Sequence, residues 1–149
     1  MASEESEQPL TREDVLRLIE EHGGTAQGLD LSKRDLLGMD LSGLDLRGIN
    51  LQGARLGDAN LQRADLKGAD FQKARLFRAN LQEAILWSAH LQGADLGDTD
   101  LRRADLWDAY LQGAYLRNAR ISGDTLLQNA RWGDYRLGEE RDKKWDDAV

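Results

Sequence analysis

The sequence predicts an all-β solenoid of square cross-section, preceded by a capping α-helix. Leucine recurs at every fifth residue from Leu31 to Leu126, and only Phe71 and Ile121 depart from it at these twenty positions. Two residues before these positions the chain carries a small or apolar residue, most often alanine from residue 54 to residue 119. A second period of twenty residues relates glutamines and tryptophans: Gln52, Gln72, Gln92 and Gln112, and Trp87 and Trp107.

The five-residue period fits neither an α-helix nor a flat strand. In a helix, a step of five residues turns the side chain by about 140°, which scatters the leucines around the axis. In a strand, an odd step sends successive leucines to opposite faces. A chain that bends once per repeat keeps each leucine, and the residue two before it, inside the bend. Twenty residues then form one coil with four sides, and about five to six such coils stack at roughly 4.8 Å.

Two runs resemble a known repeat. Ala-Asp-Leu-Lys-Gly at residues 64–68 and Ala-Asp-Leu-Gly-Asp at residues 94–98 are similar to the A-(D/N)-L-x-x unit of the pentapeptide repeat family. The resemblance covers residues 29–139. It implies a right-handed quadrilateral β-helix with the leucine and the preceding alanine inside. The repeat is specific for a fold, and function has to be argued from a site.

The repeats depart from their pattern at both ends. Arg34 stands where a small inward residue is expected, so the first coil should be irregular or covered. Larger residues fill the alanine position in the first repeats: Leu29, Met39, Leu44 and Ile49. Near the other end the period continues from Leu127 rather than Leu126, through Trp132 and Leu137. This shift predicts a one-residue bulge within residues 122–126.

The chain divides into an acidic N-terminal segment (1–28), the repeats (29–139) and a charged tail (140–149). Residues 11–22 are predicted to form the capping helix, because Thr11 and Asp14 have capping-box spacing and Gly23 follows. Leu10 and Val15 are spaced as a hydrophobic staple, and Val15, Leu18, Ile19 and His22 share a helical face. The helix either plugs the first coil, which we favour, or binds a partner. The tail either covers the last coil, leaving a monomer, or forms an end-to-end dimer.

Composition and charge narrow the functional classes. The chain has no cysteine, no hydrophobic signal segment at residues 1–9 and no run of transmembrane length, so we expect a cytoplasmic protein away from membranes. The net charge is −7, but residues 29–139 hold 16 acidic and 15 basic residues. The acidity is therefore concentrated before the repeats. A nearly neutral rod predicts no direct nucleic-acid binding.

The sequence predicts no enzyme, metal site or cofactor. The aspartates before the leucines fall on the outside of a convex rod, where neither a cleft nor perturbed carboxylates are expected. The only histidines are His22 and His90. His90 lies one coil from Asp70 and one from Tyr110, which allows a histidine–aspartate contact but supplies no metal ligand set.

The candidate interaction patch is aromatic. Trp87 and Trp107 follow the central leucine on one face, one coil apart, and Ile85 stands beside them in place of the usual aspartate or asparagine. Tyr110 and Tyr115 are expected on neighbouring faces of the same coils, and Phe77 on another. Such clusters mark interfaces, but stacked aromatics also stiffen a β-ladder, and both interpretations stay open here. The predicted patch comprises Ile85, Trp87, Trp107, Tyr110 and Tyr115.

The function predicted from the sequence is a non-catalytic scaffold that binds a protein partner of unknown identity. The alternative, implied by the family resemblance, is a DNA-mimicking modulator of DNA gyrase or a related topoisomerase, as in quinolone resistance. Members of that group resemble longer, dimeric, acidic rods with projecting loops, whereas this rod is short and nearly neutral. A regularised solenoid without a partner is a third hypothesis, and the irregular first coil and the phase shift count against it.

Overall fold

A computed structural model describes residues 8–132, which form one helix followed by a stack of coils. Helix α1 spans Arg12–Glu21, and Thr11 is its N-cap in an extended conformation. The Thr11 hydroxyl accepts the Asp14 N–H at 3.2 Å, while the Asp14 carboxylate accepts the Thr11 N–H at 2.9 Å. The Gly24 N–H donates to the Ile19 carbonyl at 2.9 Å after the helix ends. The predicted capping box is therefore confirmed.

The coils are held together by single-residue parallel bridges. These bridges begin at every fifth residue and join it to the residue twenty further on, from Asp30↔Asn50 to Asp100↔Arg120. Each coil therefore has four sides of five residues. We label the sides after their first bridging residues: side A begins at Asp30, side B at Asp35, side C at Asp40 and side D at Asp45. The described residues form about five coils, and their β-structure consists of these isolated bridges.

Each corner is a tight turn that begins at the inward leucine. At one corner the Leu51 carbonyl accepts the Ala54 N–H at 3.1 Å, and Gly53, the third turn residue, has φ +63°. A positive φ at the third residue and not at the second is the signature of a type II turn. Among residues 8–132, non-glycine residues occupy this left-handed position at twelve corners, including Arg63, Ser88 and Asp108. Hydrogen bonds between the coils hold these strained corners in place.

The interior is filled by the residues that the period predicts. The central leucines from Leu31 to Leu116 and Phe71 are buried, and the alanines from Ala54 to Ala114 are equally enclosed, whereas Leu126 is exposed. In the first coil Met39 and Ile49 take the alanine position, whereas Arg34 is exposed, as its departure from the pattern suggested. Ala26 is 2% exposed and occupies an inward position one side before Leu31. The repeats thus begin slightly earlier than the predicted boundary at residue 29.

Helix α1 lies against the first coil. Val15 is fully buried in the core, and the partly buried side chains of Leu10, Leu18 and Ile19 pack against this core. The Arg12 guanidinium donates to the Asp40 and Ser42 carbonyls at 3.0 and 3.1 Å. One coil further on, the equivalent carbonyls accept N–H groups of the preceding coil. Arg12 therefore takes the place of the two backbone N–H donors that a preceding coil would supply, which supports a capping role for the helix.

His22 does not join the apolar face of the helix, contrary to its helical spacing. It is the C-cap residue, its side chain is exposed, and its Nε2 atom lies 3.0 Å from the Gln27 carbonyl oxygen. The helical periodicity stops at Glu21, so the face predicted from spacing ends with Ile19. Among residues 8–132, no helix has the length and apolarity that crossing a bilayer requires.

The predicted bulge is confirmed. The bridge from Asp100 spans twenty residues, but the bridges Asp105↔Leu126 and Tyr110↔Arg131 span twenty-one. Thr125 takes the inward position before Leu127, and its hydroxyl donates to the Leu101 carbonyl at 2.8 Å. The extra residue therefore lies between the bridging residues Arg120 and Leu126. The predicted end of the repeats at residue 139 and the tail at 140–149 fall outside the described residues.

Candidate protein-binding face

The outward side chains of side D change from charged to largely apolar along the rod. Its bridging residues are Asp45 and Asp65, then Ile85, Asp105 and Leu126. The residue two further on is basic in the first two coils and aromatic in the next two, in the order Arg47, Lys67, Trp87 and Trp107. Side C, by contrast, carries only polar residues at these positions: Ser42, Gln62, Gln82 and Arg102. We call the apolar group of Ile85, Trp87, Trp107 and Leu126 the tryptophan face.

The two tryptophans contact each other. Their ring centroids are 5.4 Å apart and their planes are nearly perpendicular, at 87°. Despite this contact, Trp87 remains 37% exposed, Trp107 41% and Leu126 44%. The two tryptophans therefore support one another while they expose apolar surface across two successive coils, and Leu126 is exposed one coil further on. Large aromatic side chains exposed in such a group are typical anchors of protein interfaces.

Among the described residues, the ion pairs of side D lie in its N-terminal half. Arg47 lies 2.6 Å from Asp45 and 3.9 Å from Asp65, and Lys67 lies 3.6 Å from Asp65. The Lys67 ammonium also sits over the Trp87 ring, 4.9 Å from its centroid. Within residues 8–132, Asp105 and Asp108 have no ion-pair partner.

Two of the five predicted patch residues lie elsewhere. Tyr110 is on side A, where its ring stacks on His90 at 4.7 Å and carries the Arg131 guanidinium at 4.8 Å. Tyr115 bridges to Asp95 on side B, which is opposite side D in a four-sided coil. The expectation that both tyrosines flank the tryptophans is therefore right for Tyr110 and wrong for Tyr115. The five-residue step from Tyr110 carries Tyr115 one further side around the coil.

Side B carries a second set of exposed apolar residues that the sequence interpretation did not assemble. Leu37 is 59% exposed and Phe77 44% exposed. They lie against Gly57 and Gly97 of the following coils, where an added Cβ would approach Leu37 at 3.0 Å and Phe77 at 3.1 Å. The forty-residue spacing of these glycines was the available signal. Because a glycine separates them along the column, Leu37 and Phe77 form no contiguous surface.

The outward aspartates and asparagines shape the turns. At twelve positions in the described part of the chain, the side-chain oxygen of the bridging residue accepts the N–H two residues further on. Asp40 accepts the Ser42 N–H at 3.0 Å, and Asp105 accepts the Trp107 N–H at 3.2 Å. Hydrogen bonds from Ser42 lower the pKa of Asp40, and those from Arg47 lower the pKa of Asp45. A lowered pKa keeps a carboxylate ionised, which is the opposite of what a general acid needs.

Asp100 is a largely enclosed member of this set, with a side chain that is 14% exposed. Burial raises its pKa, but hydrogen bonds from Arg102 and Gln82 outweigh burial and lower the pKa to about 2. The Arg102 guanidinium reaches Asp100 Oδ2 at 2.7 Å, and Gln82 donates to the same oxygen. Asp100 therefore links Gln82 of the preceding coil to Arg102 of its own coil on side C. Among the described residues, no group of acidic residues or histidines is arranged to hold a metal ion.

Asp100→Asn should lower stability at neutral pH and have little effect in acid. Asparagine keeps the turn hydrogen bond, as Asn80 does one coil earlier, but loses the charge that Arg102 contacts. A folded-state pKa below the unfolded value stabilises the fold above the unfolded pKa, and this contribution disappears as pH falls through the folded pKa. We expect the wild type to be more stable by about 1 kcal/mol near pH 6, and the difference to vanish towards pH 2.

Urea unfolding at several pH values measures this difference. Asp95→Asn is the matched control, because Asp95 accepts the Gly97 N–H but has no ion pair in the described part of the chain. The control should follow the wild type at every pH. A destabilisation by Asp100→Asn that stays constant from pH 6 to pH 2 would show that its charge is not responsible.

The comparisons with known proteins agree on one family. The model of the family described as Pentapeptide repeats matches eight copies over residues 27–60, 45–82, 74–106 and 84–123. No curated protein sequence is significantly similar to the chain. Several solved structures are significantly similar to it.

One is HetL, a pentapeptide repeat protein involved in heterocyst differentiation regulation from Nostoc sp. strain PCC 7120. It is 32% identical with a TM-score of 0.42, and the match covers 78% of this chain and 56% of HetL. Another is alr5209, a pentapeptide repeat protein from Nostoc PCC 7120, which is 30% identical with a TM-score of 0.38, covering 85% of this chain and all of alr5209.

A third structure is QnrB1, a plasmid-mediated fluoroquinolone resistance protein. It is 21% identical with a TM-score of 0.37, and the match covers 72% of this chain and 71% of QnrB1. The chain thus spans little more than half the length of HetL and the whole length of alr5209. Because the family model matches well over half of the chain, this protein belongs to the pentapeptide repeat family.

Proposed function

We propose that this protein is a non-catalytic scaffold that binds a protein partner through the tryptophan face. The observation that carries the proposal is the contact between Trp87 and Trp107, which leaves both residues about two fifths exposed on a side that carries Arg47 and Lys67 at the same positions of the first two coils. In keeping with the family, we also propose that the coils are right-handed. A rigid rod of this kind holds a binding surface without needing a cleft.

The tryptophan face is a better candidate than side B. On side D, exposed apolar residues follow one another in three consecutive coils, at Trp87, Trp107 and Leu126. On side B, Leu37 and Phe77 are two coils apart and lean onto glycines. A contiguous aromatic surface excludes water from its centre, and such centres contribute most of the affinity in protein interfaces.

The balance of charge favours a protein partner over imitation of DNA. Residues 29–139 contain 16 acidic and 15 basic residues, and their ion pairs include Arg55–Asp35 and Arg78–Asp58 on side B. A surface that imitates a nucleic acid needs negative charge along its length. The cytoplasmic location expected from the sequence stays a prediction.

The double variant Trp87→Gln and Trp107→Gln should lose at least about tenfold in affinity for its partner. The test uses the immobilised full-length chain, captures proteins from a lysate of the source cells, and quantifies what is retained by mass spectrometry. Phe77→Gln is the matched control, since Phe77 is an equally exposed aromatic residue on the opposite side. Circular dichroism establishes that each variant is folded.

Capture that depends on Trp87 and Trp107 and not on Phe77 supports the proposal. Equal capture by the wild type and the double variant would contradict it. A parallel gyrase supercoiling assay separates the alternative function, because inhibition by DNA mimicry should weaken steeply with salt and survive the loss of the tryptophans.

A further inference from the structure

The charges around Trp107 indicate which chemistry its partner presents. Asp105 begins the same side as Trp107, and Asp108 follows Trp107 at the corner to side A. Asp124 lies at the corner that leads into side D one coil further on. None of the three carboxylates has an ion pair within residues 8–132. In the described part of the chain, Trp107 is therefore framed by three carboxylates that form no ion pair.

The same face already shows how it binds a cation. The Lys67 ammonium lies 4.9 Å from the centroid of Trp87, close to Asp65 at 3.6 Å. A cation over an indole ring beside a carboxylate is stabilised both by the ring quadrupole and by the opposite charge. One coil further on, Trp107 repeats the ring, while Ile85 takes the place of Asp65. The carboxylate beside Trp107 is instead Asp105 of its own coil, which accepts the Trp107 backbone N–H at 3.2 Å. In the described part of the chain no lysine or arginine lies over the Trp107 ring.

The residues that follow Lys67 along this column explain why Trp87 has a cation over its ring and Trp107 does not. After Arg47 and Lys67 come the two tryptophans and then the neutral Gln128. Within residues 8–132 the chain thus supplies a cation to Trp87 and none to Trp107. Leu126, which bridges to Asp105 and is 44% exposed, adds an aliphatic surface one coil further on.

We propose that the partner presents a basic segment, with an arginine or lysine side chain over Trp107 between Asp105 and Asp108 and an aliphatic residue on Leu126. This inference rests on the proposed function, because it names the chemistry of the partner bound at the tryptophan face. Arginine suits the position best, since its planar guanidinium stacks on an indole ring and donates to carboxylates at the same time.

A pair of synthetic peptides tests the proposal on the full chain. One peptide alternates leucine and arginine, and the other replaces each arginine by citrulline, which has the same shape without the charge. Chemical shifts of the tryptophan indole N–H groups report binding, and a Trp107→Phe spectrum assigns the Trp107 signal. We expect the arginine peptide to shift the Trp107 signal and to bind at least about tenfold more tightly than the citrulline peptide.

Variants locate the effect. Asp105→Asn together with Asp108→Asn should weaken the arginine peptide by about tenfold and leave the citrulline peptide unchanged. Asparagine at position 105 preserves the turn, as Asn50 and Asn60 do at equivalent positions. Phe77→Gln should bind the arginine peptide like the wild type. Raising NaCl from about 50 to about 500 mM should weaken the arginine peptide only.

The outcomes separate this inference from the proposed function. Equal affinity for the two peptides, or no shift of Trp107 by the arginine peptide, would overturn the basic-partner inference. Tryptophan-dependent capture from the lysate would still stand in that case. If capture from the lysate does not depend on the tryptophans, the proposed function fails. Binding of the arginine peptide at Trp107 would in that case show that the site binds cations without serving the captured partner.

Discussion

Leu66→Asp should unfold the coils, whereas Leu37→Asp should leave them folded. Leu66 is fully buried at the centre of side D, and an aspartate there would place a carboxylate in the apolar interior without a partner. Removing a buried leucine alone typically costs about 2–5 kcal/mol, and the buried charge adds to that cost. Leu37 undergoes the same chemical change at a position that is 59% exposed.

Circular dichroism and thermal melting of the two variants measure this contrast. The Leu66→Asp variant should show no cooperative melt, and Leu37→Asp should melt within a few degrees of the wild type. The comparison isolates burial, because both substitutions change leucine to aspartate. A cooperative wild-type melt for Leu66→Asp would contradict the inward position of the leucines.

Deletion of residues 1–24 should make the rod associate. The deletion removes Val15, which is fully buried, and uncovers the end of the first coil. It also removes Arg12, so the Asp40 and Ser42 carbonyls lose both of their donors. Exposed apolar ends and unpaired β-edges promote end-to-end pairing. The burial of Val15 alone corresponds to about 1.5–3 kcal/mol.

Light scattering after size exclusion gives the mass of the truncated protein over a range of concentrations. Deletion of residues 1–7 is the control, since it removes the acidic Glu4, Glu5 and Glu7 but keeps helix α1 and its cap. The longer deletion should form larger species and melt at a lower temperature, while the control should behave like the intact chain. If both truncated proteins match the intact chain, α1 does not act as a cap.

The periodicity of the sequence was sufficient to predict the coils. The leucine spacing fixes which side chains lie inside, and the twenty-residue period fixes which residues bridge, so Asp65, Ile85 and Asp105 fall in one column as expected. The shift of phase near residue 122 likewise predicted the added residue before Leu126. These features follow from the repeat alone because each coil contacts only its neighbours.

The site was predictable only in part, because the period fixes the column of a side chain but not its direction or its contacts. The twenty-residue period placed Trp87 and Trp107 on the same side. To predict the side on which Tyr115 lies, the sides had to be counted around the coil. The tilt of Phe77 onto Gly97 and the reach of Arg12 to Asp40 depend on rotamers of long side chains. The capping contact of Arg12 had no signal in the repeat pattern, since it lies outside the repeats.

Site-specific photocrosslinking tests the central claim, that the partner binds the tryptophan face. A photoreactive amino acid would replace either Gln128, an exposed residue next along the column from Trp107, or Arg117, an exposed residue in the corresponding position on side B. After irradiation in a lysate of the source cells, we expect a discrete adduct from position 128 and none of the same protein from position 117. The same adduct from both positions, or an adduct from position 117 alone, would contradict the account.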